Sequence, residues 1–91
     1  MKSFNGKVAA ITGAASGMGR TLAIQLAKEG CNVSISDVDT KGLAETVKLV
    51  KAANANIKVT SQPLDVSNRD AMYAWADQTA KDHGKVNLIF N

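Results

Sequence analysis

Short runs that are apolar without interruption alternate along this chain with longer stretches whose apolar residues recur every three or four positions. Lys7–Thr12 is apolar on both faces, which marks a central strand of a parallel sheet. Asn32–Ser36, Ile57–Gln62 and Val86–Phe90 read as three further strands. A helix predicted from about Gly17 to Lys28 sets Leu22 with Leu26 and Ala23 with Ala27 at i, i+4 spacing, and Gly30 stops it. Thr40 is placed to cap a second helix that runs to about Ala53, with Leu43, Val47 and Val50 on one face. Ser67 followed by Asp70 resembles a capping box for a third helix, which carries Met72, Trp75, Ala76 and Thr79 and ends near His83-Gly84.

This alternation predicts an α/β fold, β-α-β-α-β-α-β, with a parallel sheet and right-handed crossovers. In doubly wound topology the strand order is 3-2-1-4, with a switch point between the first and fourth strands. Ligands bind at such points, and the turn after the first strand lies beside it.

That turn holds the chain's most informative residues. Ile11-Thr12-Gly13-Ala14-Ala15-Ser16-Gly17-Met18-Gly19 sets three glycines where a buried strand becomes a helix. Phosphate oxygens approach closely only where no Cβ intervenes, and the first helical N–H groups point at them with the positive end of the helix dipole. Ser16 is within reach of a phosphate or ribose. Asp37 ends the second strand, 37 − 19 = 18 residues beyond the last glycine. That is near the offset of about 20 at which a carboxylate meets the ribose hydroxyls of a dinucleotide. Its charge repels a 2′-phosphate, and Val38 and Asp39 supply no compensating cation, so the pocket favours NAD over NADP. The competing role for Asp37 is to start a turn or cap the next helix, which Asp39 can do equally well.

Composition narrows the classes. Ninety-one residues make one small domain, burying about 60–65% of the unfolded surface. The 45% apolar and 21% charged content is that of an ordinary globular chain. The net charge of +3 comes from scattered lysines, and one Trp, one Tyr and two Phe form no stacking platform, which argues against nucleic acid. Cys31 is alone, so no internal disulfide forms, and one His with one Cys makes no zinc set. No apolar stretch is long enough for a membrane span, and the first residues hold no apolar leader. The expectation is a cytoplasmic protein.

The motif Thr12-Gly13-x-x-x-Gly17-x-Gly19, preceded by Gly6-Lys7-Val8, resembles the cofactor motif of the short-chain dehydrogenases/reductases. The likeness continues in two other places. Leu64-Asp65-Val66-Ser67 is similar to the family segment in which the Asp bonds the adenine amino group and the next backbone N–H, here that of Val66, meets the ring. Gly84–Asn91 is similar to the strand entering the family's Asn-Asn-Ala-Gly motif, with Asn91 as its first Asn and Asn87 where the family often has Asp. The resemblance covers the whole chain and implies a partial NAD(P)-binding Rossmann domain over residues 1–91. It implies a nicotinamide dinucleotide held by Gly13, Ser16, Gly17, Met18, Gly19, Asp37, Asp65, Val66 and Asn91.

The family's hydride transfer between nicotinamide and an alcohol or carbonyl uses a Tyr, a Lys four residues later and a substrate-orienting Ser. A phenol of pKa about 10 is a poor base near neutrality without a nearby cation. Here the one tyrosine, Tyr73, has Asp77 four residues on, and Ser16 is not placed as a substrate-orienting serine. No catalytic residue is therefore assigned, and the expectation is a fragment that is inactive by itself. Arg20 either meets a phosphate or, more in keeping with its place, faces solvent. His83 is a favourable partner for a helix dipole, Trp75 a core or interface residue, and Cys31 a half-buried packing residue. A fourth strand left as an apolar edge is a template for pairing, so the chain is expected to form a homodimer through Val86–Phe90. Two other readings stay open: a cofactor-free interaction module and a non-catalytic nucleotide sensor.

Overall fold

The computed structural model describes residues 4–91. Its elements are β1 (Val8–Ile11), α1 (Gly17–Lys28), β2 (Asn32–Asp37), α2 (Thr40–Ala53), β3 (Val59–Pro63), α3 (Arg69–His83) and β4 (Leu88–Phe90). The four strands form one parallel sheet in the order β3-β2-β1-β4, as the alternation predicts. Ile11 stands beside Ile35 on one side and Phe90 on the other, so the ends of β1, β2 and β4 share one rim.

The residues that end these elements are legible in physical terms. The α1 terminus is closed by Gly30 N–H on Ala27 O and Cys31 N–H on Leu26 O, both at 3.0 Å, which is the Schellman arrangement. Two caps differ from the sequence reading. Asp39, not Thr40, caps α2, its Oδ1 accepting from Gly42 N at 3.0 Å. Asn68, not Ser67, caps α3 by accepting from Ala71 N at 3.0 Å, because the Ser67 hydroxyl is turned back onto Asp65 Oδ1 at 2.7 Å.

Two strands begin two residues later than the apolar pattern suggests, and asparagine side chains explain both. Asn32 Oδ1 takes the Lys58 N–H at 2.7 Å ahead of β3. Asn87 Oδ1 takes the Val8 N–H at 2.9 Å ahead of β4, while Asn87 N donates to Val8 O at 2.9 Å. The amide at position 87 thus supplies an acceptor where a strand carbonyl would stand.

The core is lopsided. Ala9 and Ile11 of β1 and Val33 and Ile35 of β2 face α1 and α2, where they pack with Leu26, Leu43 and Val50. Ala23 and Ala27 are fully buried there, and their small side chains let α1 lie close to the sheet. The opposite face is smaller: Ala10, Leu64 and Trp75 form its buried cluster. Ser34 meets that side through a buried hydroxyl pair with Thr79 at 2.7 Å. A hollow of about 310 Å³, lined by Trp75, Tyr73, Val86 and Ile89 among others, lies between α3 and β4.

Candidate cofactor site

β1 delivers the chain to the rim of the sheet, where Thr12 N donates to Phe90 O at 2.9 Å. The next residues are tied to β2: Ala14 N donates to Ser36 O at 3.1 Å, and Ala15 N donates to Asp37 Oδ2 at 2.9 Å. Both alanines are buried, so the base of the turn is part of the core. What faces outward is the start of α1. Ser16 occupies the N-cap in extended conformation and makes no side-chain cap, and no acidic residue stands in the first turn. The uncapped N–H groups there, with the positive end of the helix dipole, suit an anion.

Two glycines shape this surface in different ways. Gly17 has φ +57°, and a Cβ at that position meets nothing within 4 Å, so the space above it is open to a ligand. Gly19 faces inward, where a Cβ would lie 2.2 Å from Gly13 O. Only a residue without a side chain lets α1 start this close to the strand.

Two clefts open on the rim. The first, of about 310 Å³, is lined by Thr12, Gly13, Asp37, Val38, Leu64, Asp65, Val66 and Asn91. It brings together five positions singled out in the sequence from four separate segments: Gly13, Asp37, Asp65, Val66 and Asn91. The second, of about 340 Å³, is lined by Ile11, Thr12, Met18, Gly19, Leu22, Phe90 and Asn91. Thr12 and Asn91 border both, so the clefts run along one rim. Ser16 is exposed and lines neither of them.

The first cleft pairs carboxylates with apolar walls. Asp37 Oδ1 accepts from Asp39 N at 3.1 Å while its Oδ2 holds Ala15 N, so the turn-forming role and a ribose-binding role are compatible on one side chain. Asp65 Oδ1 accepts from the backbone and hydroxyl of Ser67, and these bonds hold its carboxyl below the usual carboxylate range. Val38 and Val66 stand on the rim at 67% and 59% exposure, and Met18 at 90% edges the second cleft. Large apolar side chains standing in water at the mouths of clefts suit the flat faces of aromatic rings.

Other candidates fall elsewhere. Tyr73 is exposed on α3 and lines the apolar hollow but neither cleft. Cys31 is fully buried rather than half-buried; burial pushes its thiol up, and Sγ faces Lys7 O at 3.4 Å. Trp75 is buried in the core of the α3 face. His83 Nε2 pairs with Thr60 Oγ1 at 2.8 Å, and burial and the nearby Lys58 charge push its pKa down.

Arg20 is half-buried, and part of its guanidinium is turned to the turn and to α2: Nη2 donates to Ala15 O at 2.6 Å and Gly42 O at 3.0 Å, and Nε to Thr46 Oγ1 at 2.9 Å. Gly42 and Thr46 were passed over in the sequence. A glycine inside a helical pattern was the available signal, since it marks a close backbone approach.

Comparison with known proteins agrees with this geometry. The family model for short chain dehydrogenase matches residues 7–91. The chain is 48% identical over 91 residues to SadH of Mycobacterium tuberculosis, covering 100% of this chain and 32% of that protein. A crystal structure of levodione reductase superposes with TM-score 0.94 at 33% identity, over 97% of this chain and 34% of that one. A short chain dehydrogenase/reductase from Burkholderia phymatum, solved in complex with NAD, gives TM-score 0.90 at 43% identity, over 99% of this chain and 31% of its own. The chain thus spans about a third of the length of the relatives it matches.

Proposed function

The chain belongs to the short-chain dehydrogenase family, and from that premise we propose that it is the NAD(H)-binding portion of an oxidoreductase acting on an alcohol or carbonyl compound. The observation that carries this reading is the first cleft, where Gly13, Asp37, Asp65, Val66 and Asn91 meet beside the uncapped start of α1. On this reading the uncapped start of α1 at Gly17 and Met18, beside the cleft, would hold the pyrophosphate. Asp37 would accept from the adenosine ribose, Asp65 and the Val66 backbone would meet the adenine, and Asn91 would close the same cleft. The cofactor, when bound, would give hydride to a carbonyl carbon or accept it from an alcohol. These residues bind and orient it. No group among the described residues is assigned as the acid or base, since Tyr73 lines neither cleft and has Asp77 four residues on. Binding without turnover is therefore proposed for the 91 residues by themselves.

On this reading NAD is preferred to NADP, because a carboxylate at Asp37 that met the ribose would repel a 2′-phosphate, and Val38 and Asp39 after it supply no cation. A cytoplasmic location is part of the same proposal, supported by a lone buried thiol. The test is a titration of NADH followed by nicotinamide fluorescence. A saturable enhancement, displaced by NAD, is expected. A linear response into the millimolar range overturns the reading.

A second reading, self-association, rests on β4 as the outer strand of the sheet and on Ile89, which is 68% exposed. The Phe90 carbonyl faces β1, so by strand alternation the Ile89 backbone faces the open edge. Light scattering of the 91-residue chain should show a dimer that Ile89→Pro dissociates; a monodisperse monomer at high micromolar concentration overturns it.

A further inference from the structure

The turn before α1 has to hold its N–H groups in place while contributing none of the side chains that fix it. Its two buried residues, Ala14 and Ala15, carry four backbone polar groups, and each is engaged by another element. Ala14 N is on Ser36 O and Ala15 N on Asp37 Oδ2. Ala14 O accepts from Thr46 Oγ1 at 2.7 Å, and Ala15 O accepts from Arg20 Nη2 at 2.6 Å. The two carbonyls are thus held by α1 and α2 side chains that themselves meet, through Arg20 Nε on Thr46 Oγ1 at 2.9 Å. Arg20 Nη2 also reaches the Gly42 carbonyl in the first turn of α2, the helix that Asp39 caps two residues after Asp37.

We propose that Arg20 is a positioning residue for cofactor binding: its guanidinium, with Thr46, braces the Ala14–Ala15 carbonyls against α2 and so fixes the phosphate turn relative to the ribose carboxylate. This rests on the NAD(H) reading above. The planar fork of Arg is what the geometry requires, because three acceptors, two on α2 and one on the turn, lie around one group. A lysine ammonium at the same place carries the charge but cannot reach all three in that arrangement. Gly42 belongs to the brace, since a Cβ there would lie 2.8 Å from Ala15 O and 2.9 Å from Ala15 Cβ. With Nε and Nη2 turned to two carbonyls and a hydroxyl, Arg20 holds the turn through its backbone.

The experiment compares Arg20→Met, Arg20→Lys and the isosteric Thr46→Val with the unmodified chain. Amide hydrogen exchange at residues 16–19 is measured without ligand, and the dissociation constant for NADH is measured at a temperature where circular dichroism shows each variant folded. Exchange at the turn should accelerate in all three. NADH affinity should fall by at least about tenfold in both Arg20 variants, the worth of one hydrogen bond to a charged group. Thr46→Val should weaken it by several-fold, and it decides the matter if an Arg20 variant fails to fold. Unchanged exchange at residues 16–19, or unchanged NADH affinity in folded Arg20→Met, overturns the brace. Arg20→Lys with unmodified affinity also overturns it, since charge and not the fork would then suffice. If the unmodified chain binds no NADH, the functional reading fails, and the exchange data still judge the brace.

Discussion

Asp37 Oδ2 lies 2.9 Å from the backbone nitrogen of Ala15 and accepts its hydrogen bond, joining the end of β2 to the turn that follows β1. The carboxylate is therefore part of the turn before any ribose arrives. Each of its oxygens retains a second acceptor direction, so holding Ala15 does not exclude a hydroxyl.

Replacing Asp37 should have two separable effects. Asp37→Ala leaves the Ala15 N–H of a buried residue without its partner, costing about 1–3 kcal/mol of stability by denaturant unfolding. It should also narrow the preference for NADH over NADPH, because the repulsion of a 2′-phosphate is gone. Asp37→Asn keeps an acceptor for Ala15 but sets its amide hydrogens against the Asp39 N–H, so it should cost less stability and narrow the preference as well. Fluorescence titrations with both cofactors check this. Equal affinity of the unmodified chain for the two would sink the assignment of Asp37.

Gly19 is a steric prediction. A Cβ 2.2 Å from the Gly13 carbonyl forces α1 away from the end of β1, and both neighbours are backbone that cannot swing aside. Gly19→Ala should destabilise the chain by about 1–3 kcal/mol, the usual cost of overpacking, and weaken NADH binding together with it. An unfolding curve that coincides with that of the unmodified chain would show that the close approach is not needed.

Much of this arrangement is legible in the sequence because the signals are local. The ends of α1 and α2 follow from a 3.6-residue period, with Gly30 stopping α1, and the observed ends agree, while the α2 cap moves from Thr40 to Asp39. The parallel sheet follows from alternation and handedness, and the observed strand order is that of doubly wound topology. The starts of β3 and β4 were not legible, because the Asn32 and Asn87 side chains take N–H groups that a strand carbonyl would otherwise meet. At the site, Gly13 and Asp37, which spacing singles out, and Asp65, Val66 and Asn91, which the resemblance implies, line one cleft, whereas Ser16 lines neither cleft. Arg20 was misplaced for a different reason. Its partners are backbone carbonyls and a threonine on another helix, and a contact of that kind leaves no periodicity to read.

The buried hydroxyl pair between β2 and α3 gives a test of how α3 is held. Ser34 Oγ and Thr79 Oγ1 are 2.7 Å apart, with both residues at 2% exposure or less. Thr79→Val keeps the shape but leaves the Ser34 hydroxyl buried without that partner, at a cost of about 1–3 kcal/mol. Ser34→Ala in the same chain removes the stranded group, so the double variant should recover part of the loss. Strictly additive single effects in chemical denaturation would mean the pair contributes no coupling.

The last prediction concerns acid, and its sign follows from His83. Burial, and then the Lys58 charge, push its folded pKa below the ordinary 6.5, with Asp82 opposing more weakly. Lys58 Nζ also donates to the Asp82 carbonyl, so its charge is held close to the ring. Between the folded pKa and 6.5 the unfolded chain therefore binds more protons than the folded one, and stability rises with pH across that window. The contribution is fully present above 6.5 and is lost as pH falls through the folded value, where the imidazolium must form beside Lys58. Asp65 acts in a separate, lower range: its depressed carboxyl pKa makes a contribution present above 3.8 that is lost as pH falls through its folded value. His83→Gln retains a partner for the Thr60 hydroxyl and removes the titration. Thermal unfolding midpoints measured from neutrality downward should fall for the unmodified chain just below pH 6.5, and fall less for the glutamine variant. Parallel pH profiles for the two proteins in that window would show that the ring titrates as freely in the folded chain as in the unfolded one.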